Sequence, residues 1–485
     1  MIEQNEYVDS YGYKFVIDTQ KHSPISGGQG VVVWTAEPNL LLKLVFAEGS
    51  SVLNKDDSQN EKYMDIRLLP VPARMNIALP QAVLQGVEGY VMTLLEDMEE
   101  FEKHFSVTYN YIPETSFIKA LAAGNESVSK FLCGYMGQGG IRRRYLAYMK
   151  VATMLAQLHA NDLVYCDFSP RNVFISNDLN YQEVWFIDSD NLRYSENNDS
   201  NIYTPKFGAP EVVNGDGDCS FYSDSYSFAV SLFKQLFSQH PFEGVQYDNK
   251  VDETDDLQIA DDMIDHGQYG WILDSESDNF DDQRLMLPYQ IVLTDELYRL
   301  FQNEFSEVSR LENEYIRPSL SEWAMQLSYA FDNVIYAQDC GLDYMADGTL
   351  FYKCPWDQKE IPSIRITSYF SNQYGERCVE QALWQFTHEL NSNVIDVPLR
   401  MLHGFRCDEQ NEKAFSVSIK DGRVMIQSEL SYPYEVSFSE DDIIFRKYGR
   451  YKTMSDNVSI LCHQKTDNDK GLQERYIRLE VTIKW

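Results

Sequence analysis

The sequence predicts an α+β protein, with a small antiparallel sheet first, a helical middle and a mostly-β C-terminal region. Three observations carry that prediction. Residues 12–46 alternate apolar runs around a glycine turn, as short antiparallel strands do. Between Ile141 and Ala160, Tyr145, Met149, Ala152, Leu155 and Leu158 recur near helical spacing. From Ile361 to Trp485 the apolar residues recur with the period of a strand.

A chain of 485 residues, 44% hydrophobic, is long enough for two or three folded domains. No apolar run reaches the length of a membrane span, and the start Met-Ile-Glu-Gln-Asn-Glu lacks the basic and apolar regions of a signal peptide. A cytoplasmic protein away from membranes is expected. The formal charge of −34 leaves little basic surface for phosphate backbones, which argues against nucleic acid and leaves room for a basic protein partner. Eight cysteines scattered from Cys133 to Cys462 fit reduced thiols better than a disulfide framework.

In the front sheet, Tyr13 to Ile17 leads to Ile25-Ser26-Gly27-Gly28-Gln29-Gly30-Val31-Val32-Val33-Trp34 and then to Leu40-Leu41-Leu42-Lys43-Leu44-Val45. Glycines at such a turn let backbone N–H groups approach phosphate oxygens, and Lys43 on the next strand reaches the same phosphates as a point charge. A polar stretch from Asn54 then opens a helix over 61–69, and Gly89 to Glu96 reads as the last strand of this part.

The stretch Tyr165-Cys166-Asp167-Phe168-Ser169-Pro170-Arg171-Asn172 carries the chemistry. A carboxylate five residues before an amide suits phosphoryl transfer, because Asp167 can orient and deprotonate an attacking hydroxyl while Asn172 holds a metal. Val184-Trp185-Phe186-Ile187 then runs into Asp188, the expected second metal ligand.

These residues, with Ala209-Pro210-Glu211 downstream, resemble the eukaryotic-like protein kinases in their divergent bacterial form, whose catalytic loop reads D-x-S-P-x-N. The resemblance covers about residues 12–335. It implies a two-lobed protein-kinase-like fold, with an N-lobe over 1–100 and a C-lobe over 101–335, while the period-two alternation itself predicts a separate β-rich accessory domain over 361–485. The implied function is ATP- and Mg²⁺-dependent transfer of the γ-phosphoryl to a protein hydroxyl, serine or threonine. The alternatives are a pseudokinase scaffold that binds nucleotide and partners, and a kinase-fold enzyme acting on a small molecule. By the same resemblance, Gly27, Gly28, Gly30, Val32, Lys43, Glu61 and Met92 would bind the nucleotide, with Glu61, or Asp65 one turn on, orienting Lys43. Thr204 would hydrogen-bond Asp167, Asp224 would hold the catalytic loop, and Arg317 would pair with Glu211. A phosphatase or a von Willebrand-type domain protein is the kind of partner the resemblance suggests.

The chain departs from that pattern at several points. Ile25 stands at the first loop glycine and Leu41 at the usual alanine. Cys166 replaces the arginine that reads activation-loop phosphorylation, which predicts an enzyme not switched that way. Ser169 replaces the lysine two residues after the Asp, and Arg171 is expected to supply the missing charge. Asp190 stands at the glycine after the metal-binding Asp, where it would stiffen the loop or add a ligand.

Three further stretches stand out. Arg142-Arg143-Arg144 is a basic helix start suited to an acidic partner surface. Between Glu243 and Asp282 lie fourteen acids and one base, Lys250, which reads as a solvated insertion. Over 336–360, Cys340-Gly341-Leu342-Asp343 and Cys354-Pro355-Trp356-Asp357 resemble a zinc knuckle pair in which each second cysteine has become Asp, so that Cys340, Asp343, Cys354 and Asp357 could bind zinc.

Overall fold

A computed structural model describes residues 5–18, 23–26, 30–107, 115–196, 200–346, 353–374, 377–390, 394–404, 413–420, 423–428, 434–440, 443–446, 450–453, 457–464 and 476–484. The chain divides into two compact units. The first comprises residues 1–106, 150–284 and 300–321, and the second 107–149, 285–299 and 322–485. No described helix is long and apolar enough to cross a membrane.

The first unit begins with a five-stranded antiparallel sheet in the order Ile25–Ser26, Gly30–Trp34, Leu40–Val45, Gly89–Thr93, Ala82–Val83. Strand alternation sorts its side chains to two faces. Val31, Val33, Leu42, Leu44 and Val91 pack with Tyr7, Phe15 and Ile17, while Leu41, Tyr90 and Met92 pack with Tyr63 and Ile66 of the helix Glu61–Ile66. That helix is short because Pro70 and Pro72 follow it and disfavour further helical backbone.

The helical part of this unit is built on Phe221–Phe237, almost wholly buried. Ser220 caps it by accepting from the N–H groups of Tyr222 and Ser223, and Ser223 Oγ returns the bond to Ser220 N in a capping box. The acidic stretch is not the solvated insertion expected from its composition. It forms helices Val245–Thr254 and Leu257–Asp265 and then buries Trp271, Ile272 and Leu273, with Trp271 edge-on to Phe233. Its acids are partly spoken for: Glu243 and Asp261 lie 2.6 and 2.9 Å from Lys206 Nζ, and Asp265 accepts from Lys206 N at 2.5 Å.

His240 sits under this stretch, 3% exposed, donating from Nε2 to the Lys206 carbonyl at 2.8 Å while its Nδ1 accepts from Phe242 N at 3.3 Å. Burial pushes the imidazole down to about 4. The unfolded chain takes up this proton near pH 6.5 and the folded chain only near 4, so stability present above pH 6.5 is lost as pH falls through that window, by about 3 kcal/mol. Urea unfolding at pH 7.5 and pH 4.5 checks this. The wild type should lose about 3 kcal/mol more than His240→Gln. Asp265, pushed up to about 6 by burial, titrates in both proteins and cancels in the comparison.

The second unit holds helices Ser116–Gly124 and Glu126–Gly137 and a β-rich C-terminal region. The helix Gly140–His159 gives its first ten residues to this unit and its last ten to the first. A six-stranded antiparallel sheet, with Ser363–Tyr374 between Arg377–Glu389 and Tyr476–Lys484, faces a four-stranded sheet that begins Val394–Pro398, Lys413–Lys420. One core serves both: Ile364, Ile366, Trp384 and Phe386 meet Ile395, Val397, Phe415 and Val417, with Ile477, Leu479, Val481 and Ile483 inward as their alternation predicts. The expected turn at Asp421 and Gly422 lies outside the described residues, between the paired Lys420 and Arg423.

The basic helix start is answered inside the second unit. Asp343 accepts from Arg142 N at 3.2 Å, Arg144 donates to Gln138 Oε1 at 2.8 Å and its guanidinium lies 3.7 Å from the Tyr135 ring centroid. A carboxylate over the unpaired N–H groups of a helix start offsets the cations there.

Candidate active site

The site is assembled in the first unit from one hairpin, one loop and one strand. Val173–Ser176 pairs antiparallel with Val184–Phe186, with Val173 opposite Phe186, so Asn172 and Asp188 leave the same end of the hairpin. Ile187 N donates to Asn172 O at 3.0 Å, and the Tyr165 hydroxyl to Ile187 O. Asp188 takes a left-handed backbone, φ 57°, which aspartate tolerates better than most residues.

Asp167 is held from two sides. Thr204 Oγ1 donates to its Oδ1 at 2.7 Å, and Asn172 Nδ2 donates to its carbonyl at 2.8 Å, with Oδ2 3.5 Å away. The loop behind it hangs on Asp224, in the first turn of Phe221–Phe237, which accepts from Tyr165 N at 2.8 Å and Cys166 N at 3.0 Å. His159 Nε2 lies 3.0 Å from the same carboxylate. Buried charge-assisted bonds of this kind fix a loop firmly. The contacts expected of Thr204 and Asp224 are thus present, as is that of Arg317, whose Nη1 and Nη2 meet Glu211 Oε1 and Oε2 at 2.8 and 2.9 Å.

Lys43 is where the structure departs most from expectation. Its ammonium bonds Asp188 Oδ1 and, at 2.6 Å, Asp190 Oδ2. Glu61 and Asp65 are both exposed, because Tyr63 and Ile66 take the inward face of their short helix. The second carboxylate beside the lysine is therefore Asp190, steadied by the Tyr90 hydroxyl at 2.6 Å from its Oδ1. Tyr90 stands opposite Lys43 in the sheet register, and its ring packs 4.8 Å from that of Tyr63. Asp190 was visible in the sequence as a departure, but its bond to Lys43 was not, and nothing in the sequence marked Tyr90.

The electrostatics follow from burial. Lys43 is held above its ordinary value, since the two carboxylates outweigh the burial that disfavours its charge. Burial, reinforced by Asp190, pushes the Asp188 carboxyl up. Burial acts on Asp190 too, but Lys43 and the bonds from Lys43 and Tyr90 overcome it and leave that carboxyl below its ordinary value.

Among the other expected nucleotide-binding residues, Gly27 and Gly28 lie outside the described residues. Gly30 opens the strand so close to its neighbour that a Cβ would come within 2.3 Å of the Leu44 carbonyl oxygen. Val32, Leu41 and Met92 share the sheet face that carries Lys43. A cavity of about 920 Å³ beside Lys43 is lined by Lys62, Tyr63, Glu88, Asp190 and Arg193. Arg171 reaches Glu102 Oε2 at 2.5 Å with its side chain 62% exposed, so its charge is engaged by an acid. Asp343 is not brought to Cys340 and Cys354: it is drawn to the helix start at Gly140–His159, where burial pushes it up to about 6 despite bonds from Arg142 N and Ile141 N.

Residues 85–288 match the family model described as the protein kinase domain. The chain is similar to the serine/threonine-protein kinase GRIK2 of Arabidopsis thaliana, 30% identical over 109 residues, which are 21% of this chain and 25% of that one. It is also similar to the eye isozyme of protein kinase C from Drosophila melanogaster, 31% identical over 97 residues, 20% of this chain and 14% of that one. The chain thus spans a quarter or less of the length of these relatives. A protein kinase domain is present, followed by a β-rich C-terminal region.

Proposed function

We propose that the chain transfers the γ-phosphoryl of Mg-ATP to a hydroxyl of a protein substrate, on serine or threonine. The supporting observation is the Asp167 carboxylate, oriented by Thr204 and Asn172 and set in the same hairpin-and-loop assembly as Asp188 and Lys43. Asp167 would accept the hydroxyl proton and aim the oxygen. Mg-ATP, when bound, supplies the transferable phosphoryl group and the metal charge that offsets it. The hard oxygen donors of Asn172 and Asp188 suit Mg²⁺, and Lys43 would hold the phosphates, with Val32, Leu41 and Met92 against the base.

In this reading Asp190 takes the orienting role expected of Glu61. Replacing Asp190 with Asn removes a charge-assisted bond of about 1.5–3 kcal/mol, which lowers kcat/KM about tenfold to a hundredfold. Glu61→Gln, on an exposed side chain, should change it less than about twofold. Steady-state kinetics on both variants checks this, and the reverse order would return the role to Glu61.

The founding test is transfer of γ-labelled phosphate from Mg-ATP to a basic protein by the purified chain, with and without a chelator. Chelator-sensitive labelling supports the reading. No labelling, with ATP still raising the melting temperature, overturns it in favour of a nucleotide-binding scaffold.

A further inference from the structure

Cys340 and Cys354 lie fourteen residues apart in the chain, 0% and 1% exposed, with their sulfurs 3.6 Å from each other. An Asp357 carboxylate oxygen completes a set of three ligand atoms all within 4.8 Å of one another. We propose that these three side chains bind one zinc ion, as a site of two thiolates and one carboxylate whose fourth position opens to solvent. The site differs from the one read from the sequence, since Asp343 has left it for the helix start.

Distance and backbone geometry both support a metal. A disulfide needs its sulfurs about 2.0 Å apart. Two thiolates on one tetrahedral zinc, each at about 2.3 Å, stand about 3.8 Å apart, close to the separation seen. Each sulfur is carried by a tight turn. Cys340 and Gly341 donate from their backbone N–H groups to Ala337 O at 3.1 and 2.8 Å, between the paired strands Val334–Ala337 and Leu342–Met345. Cys354 N donates to Lys359 O at 2.8 Å and Gln358 N to Cys354 O at 2.9 Å, closing the second turn.

The surroundings supply the fourth corner. A cavity of about 240 Å³ is lined by Asp339, Cys354, Asp357, Lys359, Glu360 and Glu389. Lys359 Nζ lies 3.4 Å from Asp357 Oδ2 and 2.8 Å from Asp339 Oδ2, so a cation already stands beside the Asp357 carboxylate. Its side chain is 62% exposed and free to swing out, leaving a water or Asp339 to complete the tetrahedron.

Metal analysis of the full-length chain, purified with zinc in the growth medium and reductant throughout, tests the site. The expected result is one zinc per chain, retained in a Cys133→Ser control and lost in the Cys340→Ser, Cys354→Ser double variant. Asp357→Asn guards against misfolding of that double variant and should weaken zinc binding at least about tenfold while far-ultraviolet circular dichroism stays unchanged. Replacement of zinc by cobalt(II) should give thiolate-to-metal charge-transfer bands that vanish with the cysteines. A chain with less than a tenth of an equivalent of zinc, zinc kept by the double variant, or a Cys340–Cys354 disulfide in the non-reduced protein would each overturn the proposal.

Discussion

If the chain is the phosphotransferase proposed above, replacing Asp167 with alanine should lower phosphoryl transfer by about 10²–10⁴-fold while leaving ATP affinity near that of the wild type. The size follows from the proposed role, in which the carboxylate would both aim the attacking oxygen and receive its proton; water substitutes poorly for a group held in place. In the proposed reading the affinity is spared because Lys43 would hold the phosphates and Asn172 and Asp188 the metal. Thr204 Oγ1, at 2.7 Å, loses its acceptor, while the loop that carries residue 167 stays anchored through Tyr165 N and Cys166 N on Asp224. Single-turnover labelling with saturating Mg-ATP, paired with an ATP-dependent melting shift, separates the two effects. A variant that transfers within about threefold of the wild type would remove Asp167 from the chemistry altogether.

Arg317→Ala should destabilise the first unit by about 3–5 kcal/mol, the largest stability effect expected of any single change described above. The Arg317 side chain is fully buried and makes two bonds to Glu211, bonds to Ser309 O at 2.9 Å and Tyr222 O at 3.1 Å, and lies 4.9 Å from the Tyr226 ring. Truncation leaves the Glu211 carboxylate, and Glu304 whose Oε1 lies 3.9 Å from Arg317 Nε, without that countercharge in a poorly solvated place. Lysine restores the charge but not the planar fork, so Arg317→Lys should recover less than half of the loss. Urea unfolding at pH 7.5 reads both variants. A loss below about 1 kcal/mol for alanine would mean that the pair is solvated in practice.

Much of this site was legible because short-range spacing fixes it. Asp167 and Asn172 are five residues apart in one loop, and the two apolar runs that bring Asn172 to Asp188 form a simple hairpin. Thr204 and Arg317 were legible only through resemblance, since nothing local predicts contacts across 37 or 106 residues. The partner of Lys43 was misjudged for a physical reason: a six-residue helix has too few turns for periodicity to say which face turns inward, and Tyr63 with Ile66 took it from Glu61. Composition misled at 243–282, where net charge suggested solvent. Charge counts do not show that Glu243, Asp261 and Asp265 converge on one lysine, nor that Trp271 sits beneath them. Asp343 shows the same limit, for its spacing from Cys340 suggested a ligand while a helix start elsewhere in the chain had the stronger claim.

That helix start also bears on how the protein is made. Arg142 and its capping carboxylate are 201 residues apart. At a ribosomal speed of about 5–20 residues per second, Asp343 follows Arg142 after roughly 10–40 s. Through that interval the nascent helix carries three arginines against its own dipole with no acid to answer them. The cap of this helix start therefore forms only once the chain has been made as far as Asp343, and until then Arg144 relies on contacts close by in sequence, such as Gln138 and the Tyr135 ring.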